Sequence, residues 1–367
     1  MLPGLYVHVP FCDSKCPYCG FYSIPSKTPV AGWLKGLEKE IFHTKNRFER
    51  FDTLYLGGGT PSMLSDRDLE RILSLIFDHY PLTPDAEITL EANPCQVTLA
   101  KADFIRSLGV NRINLGVQSF DDRVLKFLGR RHSSQRAEDA VRHLRSAGFQ
   151  NIGLDLIYGF KAQPMKAWMT TLKKALSFEP EHLSCYQLTL EKGTVFKRRS
   201  QKNNSIILPE KTAAAHFLAT SAFLENKGYV HYEVSNFALN KSLESRHNRK
   251  YWRHIPYLGL GPSAHSFDGK QRWWNVRSVR EYCKALNENR LPVEGNETLT
   301  KEQLHLESLA LGVRTRHGVD TTILPPASGN ALFMLQRQGL LKIKRGHAIP
   351  TRRGYLMADH LPLWLSP

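Results

Sequence analysis

"VHVPFCDSKCPYCGFYS" (residues 7–23) holds three of the six cysteines of this 367-residue chain, Cys12, Cys16 and Cys19, directly after a short β-branched run. The run "LYVHV" (5–9) reads as a strand, so the thiols fall at its C-terminal end, where a parallel barrel assembles its active site. The spacing C-x3-C-x2-C supplies three sulfur ligands. Three thiolates can hold three irons of a cubane cluster and leave the fourth open to another ligand. Two other readings stay open on spacing alone: zinc with His8 as fourth ligand, and a disulfide with a spare thiol, which a reducing compartment disfavours.

Further runs of the same kind follow: "TLYLG" (53–57), "EITLEA" (87–92), "RINLGV" (112–117), "IGLDLIY" (152–158) and "LSCYQLTL" (183–190). Helical patterns separate them. In "SDRDLERILSLIFDHY", Ser65 suits an N-cap and Leu69, Ile72, Leu73 and Ile76 share one face. Gly109, Gly148 and Gly228 stand where helices would end. The alternation predicts an α/β fold, a partial (β/α)6 TIM-like barrel over residues 1–237. Residues 238–291 read as a connecting segment. Residues 292–367, with a Thr300/Gln303 capping box, a helix and a hairpin around Arg345-Gly346, read as a small α+β, winged-helix-like domain.

Hydrophobic residues at 41% and charged residues at 23%, with no low-complexity tract, place the chain among ordinary globular proteins and not among disordered ones. No apolar run reaches the roughly 18 residues of a membrane span, and no secretory signal pattern opens the sequence. The expectation is a cytoplasmic protein, peripheral at a membrane at most. Fifty Lys and Arg against 34 Asp and Glu give a net charge of +16, which favours anionic ligands. Cys95, Cys185 and Cys283 offer no ligand spacing and read as small buried hydrophobes.

Polar residues recur at successive strand ends. They are the turn "GGGTP" (57–61), Glu91, Gln118, Arg130, and Asp155 set costly between Leu154 and Leu156. With "CDSKCPYC" preceded by "YVHVPF", the pattern resembles the radical S-adenosylmethionine enzymes. It resembles in particular the branch of oxygen-independent coproporphyrinogen III oxidase and the HemW-type heme chaperones. The resemblance implies a radical SAM barrel with a [4Fe-4S] cluster on Cys12, Cys16 and Cys19. It also implies S-adenosylmethionine surrounded by Tyr6, Tyr18, Gly58, Gly59, Thr60, Glu91, Gln118, Arg130 and Asp155.

Smaller features separate the two branches. Gly20-Phe21 follows Cys19 where the oxidase carries a further cysteine, and the oxidase's longer arm has no counterpart before Cys12. "HNRKYW" (247–252) matches the HNxxYW motif of the chaperones, which implies His247 as the heme ligand, with heme as cargo. A heme-accepting protein follows, with a membrane respiratory enzyme as one candidate and a homodimer left open. Oxidative decarboxylation of coproporphyrinogen III is the alternative. Nucleic-acid binding through the basic tail (Lys342, Lys344, Arg345, Arg352, Arg353) ranks third.

Overall fold

The computed structural model describes residues 1–25, 30–202 and 206–366. Six parallel strands lie side by side in chain order: β1 (Gly4–Val9), β2 (Phe51–Gly58), β3 (Leu82–Ala92), β4 (Arg112–Gln118), β5 (Ile152–Tyr158) and β6 (His182–Gln187). Their crossovers carry α1 (Val30–Thr44), α2 (Asp66–His79), α3 (Leu99–Ser107), α4 (Asp122–Phe127), α5 (Ser134–Ser146) and α6 (Met165–Leu176). Ser65 caps α2 by accepting from the Asp68 amide, and Gly109, Gly148 and Gly228 follow helix ends as expected. Strand β6 stops at Gln187, short of the expected residue 190.

Alternation along these strands sorts the side chains. Leu5, Val7, Leu54, Leu56, Leu90, Ile113, Leu115, Leu154 and Leu183 are fully buried in the main apolar core. The residues between them, including Tyr55, Glu91, Arg112 and Asn114, bond to one another inside the barrel.

After β6 come α7 (Val195–Ser200), α8 (Glu210–Asn226) and two strands, β7 (Val230–Glu233) and β8 (Asn236–Ala238). Strand β8 runs antiparallel to β6. The chain then crosses to the other side of β1 through α9 (Arg246–Trp252), and β9 (Tyr257–Leu260) pairs parallel with β1. Strands β10 (His265–Phe267), β11 (Gln271–Asn275) and β12 (Val293–Thr298) extend one twelve-stranded sheet, with α10 (Val279–Asn287) between the last two. The expected connecting segment therefore carries three strands of the sheet besides α9 and α10, and the sheet runs past residue 292. The sequence hid this because short antiparallel strands lack the βα rhythm.

The C-terminal unit has its own core of Leu309, Val313, Leu335, Leu341, Ala348 and Leu361. It comprises α11 (Lys301–Gly312), β13 (Val319–Asp320), α12 (Gly329–Arg337), the hairpin β14 (Leu341–Lys344) and β15 (His347–Pro350), then α13 (Arg352–Tyr355) and α14 (Leu361–Leu365). The Thr300/Gln303 capping box opens α11. The barrel edge holds this unit: the Val234 amide donates to the Arg314 carbonyl (3.1 Å) and the Arg316 amide to the Tyr232 carbonyl (3.0 Å). Of the three remaining cysteines only Cys185 is buried; Cys95 and Cys283 are half-exposed, contrary to expectation, because neither lies within a strand of the sheet.

Glu40 of α1, 2% exposed, latches the sheet extension. It accepts from the Gly261 amide (2.7 Å), the Tyr282 hydroxyl (2.6 Å) and Asn275 Nδ2 (2.5 Å). Burial raises its carboxyl to about 7 against these three donors. The folded chain then keeps a proton that the unfolded chain has released, so this group's contribution falls as pH rises from about 4.5 through 7. Glu40→Gln removes the titration. Urea melts at pH 5 and pH 8 should show wild type losing on the order of 2–3 kcal/mol relative to the variant over that interval.

Candidate functional site

The cysteine loop leaves β1 at the mouth of the barrel and is clipped to the end of β2. The Gly59 amide donates to the Val9 carbonyl and the Thr60 amide to the Phe11 carbonyl, both at 2.8 Å, and Thr60 Oγ1 meets Cys12 Sγ at 3.3 Å. The glycines are needed for closeness. A Cβ on Gly59 would stand 2.4 Å from the Phe11 oxygen, and Gly58 has φ +101° with the His8 ring 2.5 Å from where its Cβ would be. The turn's amides are thus spent inside the protein. What it can offer a ligand is carbonyl oxygen, since each keeps a second lone pair.

His8 is 4% exposed, with Nε2–H donating to the Tyr22 carbonyl (2.9 Å) and Nδ1 accepting from the Tyr6 hydroxyl (3.1 Å). Both nitrogens are taken, so it is not a fourth metal ligand. All six cysteines are free thiols, and burial raises those of Cys12 and Cys19. A metal that takes them must displace their protons, as thiolate ligation does.

Around the loop stand the other expected residues. Arg130 donates through Nη1 to Cys16 Sγ (3.5 Å) and through Nη2 to the Gly116 carbonyl (2.8 Å). Tyr18 lies beside Cys16 and Arg130, its phenol raised mainly by burial, with its ring 6.4 Å from Phe196. Gln118 closes β4 with φ +65°, where the β4–β5 register slips. Such left-handed non-glycine residues concentrate at ligand clamps.

Arg130 Nε and Asp155 Oδ1 are buried and unpaired at this site, as is Arg112 Nε deeper in the barrel. Burial raises Asp155 to about 6, with Ser184, Arg112 and Arg130 opposing. An unpaired guanidinium donor and an unpaired carboxylate oxygen suit a ligand carrying both a carboxylate and ammonium or hydroxyl donors. Three thiols with no fourth sulfur suit a cluster with one open iron. The residues present therefore fit the implied pair of cofactors.

Glu91 does reach the mouth, as expected, but both of its oxygens are already bonded there. Its Oε1 accepts from the Tyr55 hydroxyl (2.7 Å) and its Oε2 from the Gly58 amide (3.1 Å), so it braces the glycine turn; burial, helped by Asp155, raises it to about 7. From Tyr55 the bonds continue to Asn114 Nδ2 (3.1 Å), Arg112 Nη2 (3.0 Å) and Asn151 (3.1 Å). The sequence reading missed this interior column. Its signal was the alternation Arg112, Asn114, Gly116, Gln118 in a strand that should be apolar on both faces.

His247 lies at the opposite end of the barrel. Helix α9 closes the floor, with the Arg246 and His247 amides donating to Glu87 of β3 (3.1 and 3.0 Å). Lys250, fully buried, donates to the Leu2 carbonyl (2.6 Å) and pairs with Asp52. The His247 ring is 1% exposed, its Nδ1 bonded to Thr53 Oγ1 (2.8 Å) and its Nε2 to the Tyr251 hydroxyl (2.9 Å). The expected heme ligand is thus sealed in the floor, both nitrogens occupied, because α9 turns this face inward. Its ring reaches up to Tyr6 and Tyr55 (ring centres 6.4 and 5.0 Å away), leaving roughly 10 Å of β1 between it and Val9 at the mouth.

The Radical SAM superfamily model matches residues 6–175. The heme chaperone HemW of Mycobacterium tuberculosis is 36% identical over 364 residues, 97% of this chain and 93% of that protein. The heme chaperone HemW of Bacillus subtilis is 34% identical, covering 98% of each. Among solved structures, the coproporphyrinogen III oxidase HemN from Escherichia coli superposes with a TM-score of 0.85 at 24% identity, over 100% of this chain and 90% of that one, a likeness of fold.

Two variants separate mouth from floor. Gly59→Ala drives a methyl into the Phe11 carbonyl and should leave the reconstituted protein with markedly less iron per chain. His247→Ala strands the Thr53 and Tyr251 hydroxyls, costing roughly 1–3 kcal/mol for each buried group left unpaired, read as an earlier urea midpoint. Its iron content should match wild type.

Proposed function

The chain belongs to the HemW family of heme chaperones, within the radical SAM superfamily, and from that membership we propose that it binds heme and hands it to an acceptor protein. Near-full-length identity with curated heme chaperones carries this reading. Phe21, 68% exposed, supports it by standing where the oxidase has its additional cysteine.

In this reading Cys12, Cys16 and Cys19 hold a [4Fe-4S] cluster, and S-adenosylmethionine lies against it. When bound, these groups supply redox chemistry and an iron open to an amino-acid ligand. The chain's own residues position them. The Gly58–Thr60 turn sets the cysteine loop, and its carbonyl oxygens would accept from an ammonium. Arg130 offers the unpaired Nε to a carboxylate, and Asp155 offers Oδ1 to hydroxyls. Gln118, Tyr6 and Tyr18 border the same space, Tyr18 shielding the loop with the Phe196 cluster. Glu91, already bonded on both oxygens, keeps the turn in place.

The acceptor we infer is a membrane respiratory enzyme, met at the bilayer surface by a basic protein. No helix among the described residues is long and apolar enough to cross the bilayer.

Reconstituted protein titrated with heme should give a saturable change in the heme's visible spectrum and then lose that heme to an added apo-cytochrome. It should leave coproporphyrinogen III unchanged in the presence of reductant and S-adenosylmethionine. Efficient conversion of that substrate would overturn the proposal in favour of the oxidase.

A further inference from the structure

The sealed position of His247 leaves open where heme docks. Helix α9 has a second face. While His247, Lys250 and Tyr251 look into the barrel floor, Arg249 and Trp252, with Arg253 just beyond the helix, belong to the side that meets the C-terminal unit. There the seam between barrel and C-terminal unit opens into two adjoining clefts that share one residue, His317. The larger, about 700 Å³, is lined by Lys241, Arg316, His317, Lys342, Lys344 and Arg352. The smaller, about 360 Å³, is lined by Trp252, Arg253, His317, Ile323 and His347. Both fall in the range of about 300–1,000 Å³ typical of small-molecule sites.

His317 sits on a pinned turn. Neighbouring Arg316 is held by its amide to the Tyr232 carbonyl (3.0 Å), and the Gly318 amide donates to the Thr315 carbonyl (3.0 Å). The His317 amide donates to Thr315 Oγ1 (3.3 Å), but the imidazole makes no hydrogen bond among the described residues and is exposed. Partial burial and the surrounding cations lower its pKa to about 4, so the ring is neutral at pH 7 and has a lone pair to give. Of the other histidines on the smaller cleft, His254 is bonded through both ring nitrogens and His347 through Nδ1, which leaves His347 Nε2 as the rival donor among the described residues. His254 bonds Glu307 (3.1 Å) and Ser308 (3.4 Å), and His347 bonds the Arg345 carbonyl (3.1 Å).

Charge around the ring is unbalanced. Arg253, Arg316, Arg249 and Lys241 all act on His317, and Glu244 is the acid paired with two of them, Arg249 (3.3 Å) and Arg316 (3.2 Å). Of the acids lining the clefts, Glu225 is paired with Arg352 and Asp320 accepts from the Thr322 amide (2.9 Å). Crowded like charges repel, and a ligand with two carboxylates relieves them, most strongly on arginine forks. Half-buried Trp252 and exposed Ile323 add the apolar surface a macrocycle needs.

On the premise that the chain binds heme, we propose that heme docks in this seam, with the His317 imidazole as axial ligand and its two propionates on the arginines and lysines around it. The HNxxYW stretch then serves heme through its outward residues Arg249 and Trp252, while its histidine closes the floor.

The test is a heme titration of the full chain, wild type beside His317→Ala, Arg253→Glu and His247→Ala, with circular dichroism confirming each fold. The inference expects at least a tenfold weaker affinity and a changed Soret band for His317→Ala, with the wild-type spectrum restored by free imidazole. It expects weaker heme binding for Arg253→Glu but little effect of that change on heme dimethyl ester, and a wild-type spectrum for His247→Ala. Heme binding by wild type that His317→Ala leaves unaltered would overturn the site and leave the chaperone reading intact. No heme binding by wild type would overturn both.

Discussion

Strand alternation in the six curved parallel strands of an open barrel governs this molecule. With helices outside, every second residue of β1 to β6 must face the barrel interior, and here those residues are polar. A polar interior is stable only if its groups are paired. The Glu91–Tyr55–Asn114–Arg112 column meets much of that demand by running along the barrel interior from the glycine turn at the mouth toward the floor. Buried atoms of Thr89, Arg112 and His182 stay unpaired within the interior, and those of Arg130 and Asp155 at the mouth mark where a ligand is expected.

The two ends of the barrel are closed by different means. At the mouth, backbone bonds between the cysteine loop and the Gly-rich turn hold three thiols over the interior. At the floor, α9 inserts His247 and Lys250, and Gly4 makes room for them, a Cβ there falling 2.7 Å from the Lys250 side chain. One end is built to receive a cofactor and the other is plugged. The seam with the C-terminal unit lies outside the plug, so cargo placed there is separated from the cluster by the whole polar interior.

Much of this was legible in the sequence because it depends on local rules. The six barrel strands, the Ser65 and Thr300 caps and the hairpin tip at Arg345-Gly346 all follow from spacing and turn chemistry. The cysteine loop was legible for the same reason. The facing of α9 was not. Residues 247, 250 and 251 share a helical face, and 249, 252 and 253 largely share another, but which one looks inward depends on the chain crossing from β8 to the far side of β1. The partners of Glu91 were hidden for a related reason: a strand-end carboxylate looks free until Tyr55 and Gly58 are brought to it. His317 was passed over because its surroundings come from α9, the Lys241 turn and the hairpin, which are far apart in sequence.

The central claim is that cofactor and cargo occupy separate ends of one barrel. Pulsed electron paramagnetic resonance on protein carrying both the reduced cluster and ferric heme measures this directly. The structure predicts magnetically distinct centres on the order of 17 Å apart or more, since the length of β1 lies between them. A strongly spin-coupled pair at contact distance, with heme seated on the barrel mouth, would contradict the account.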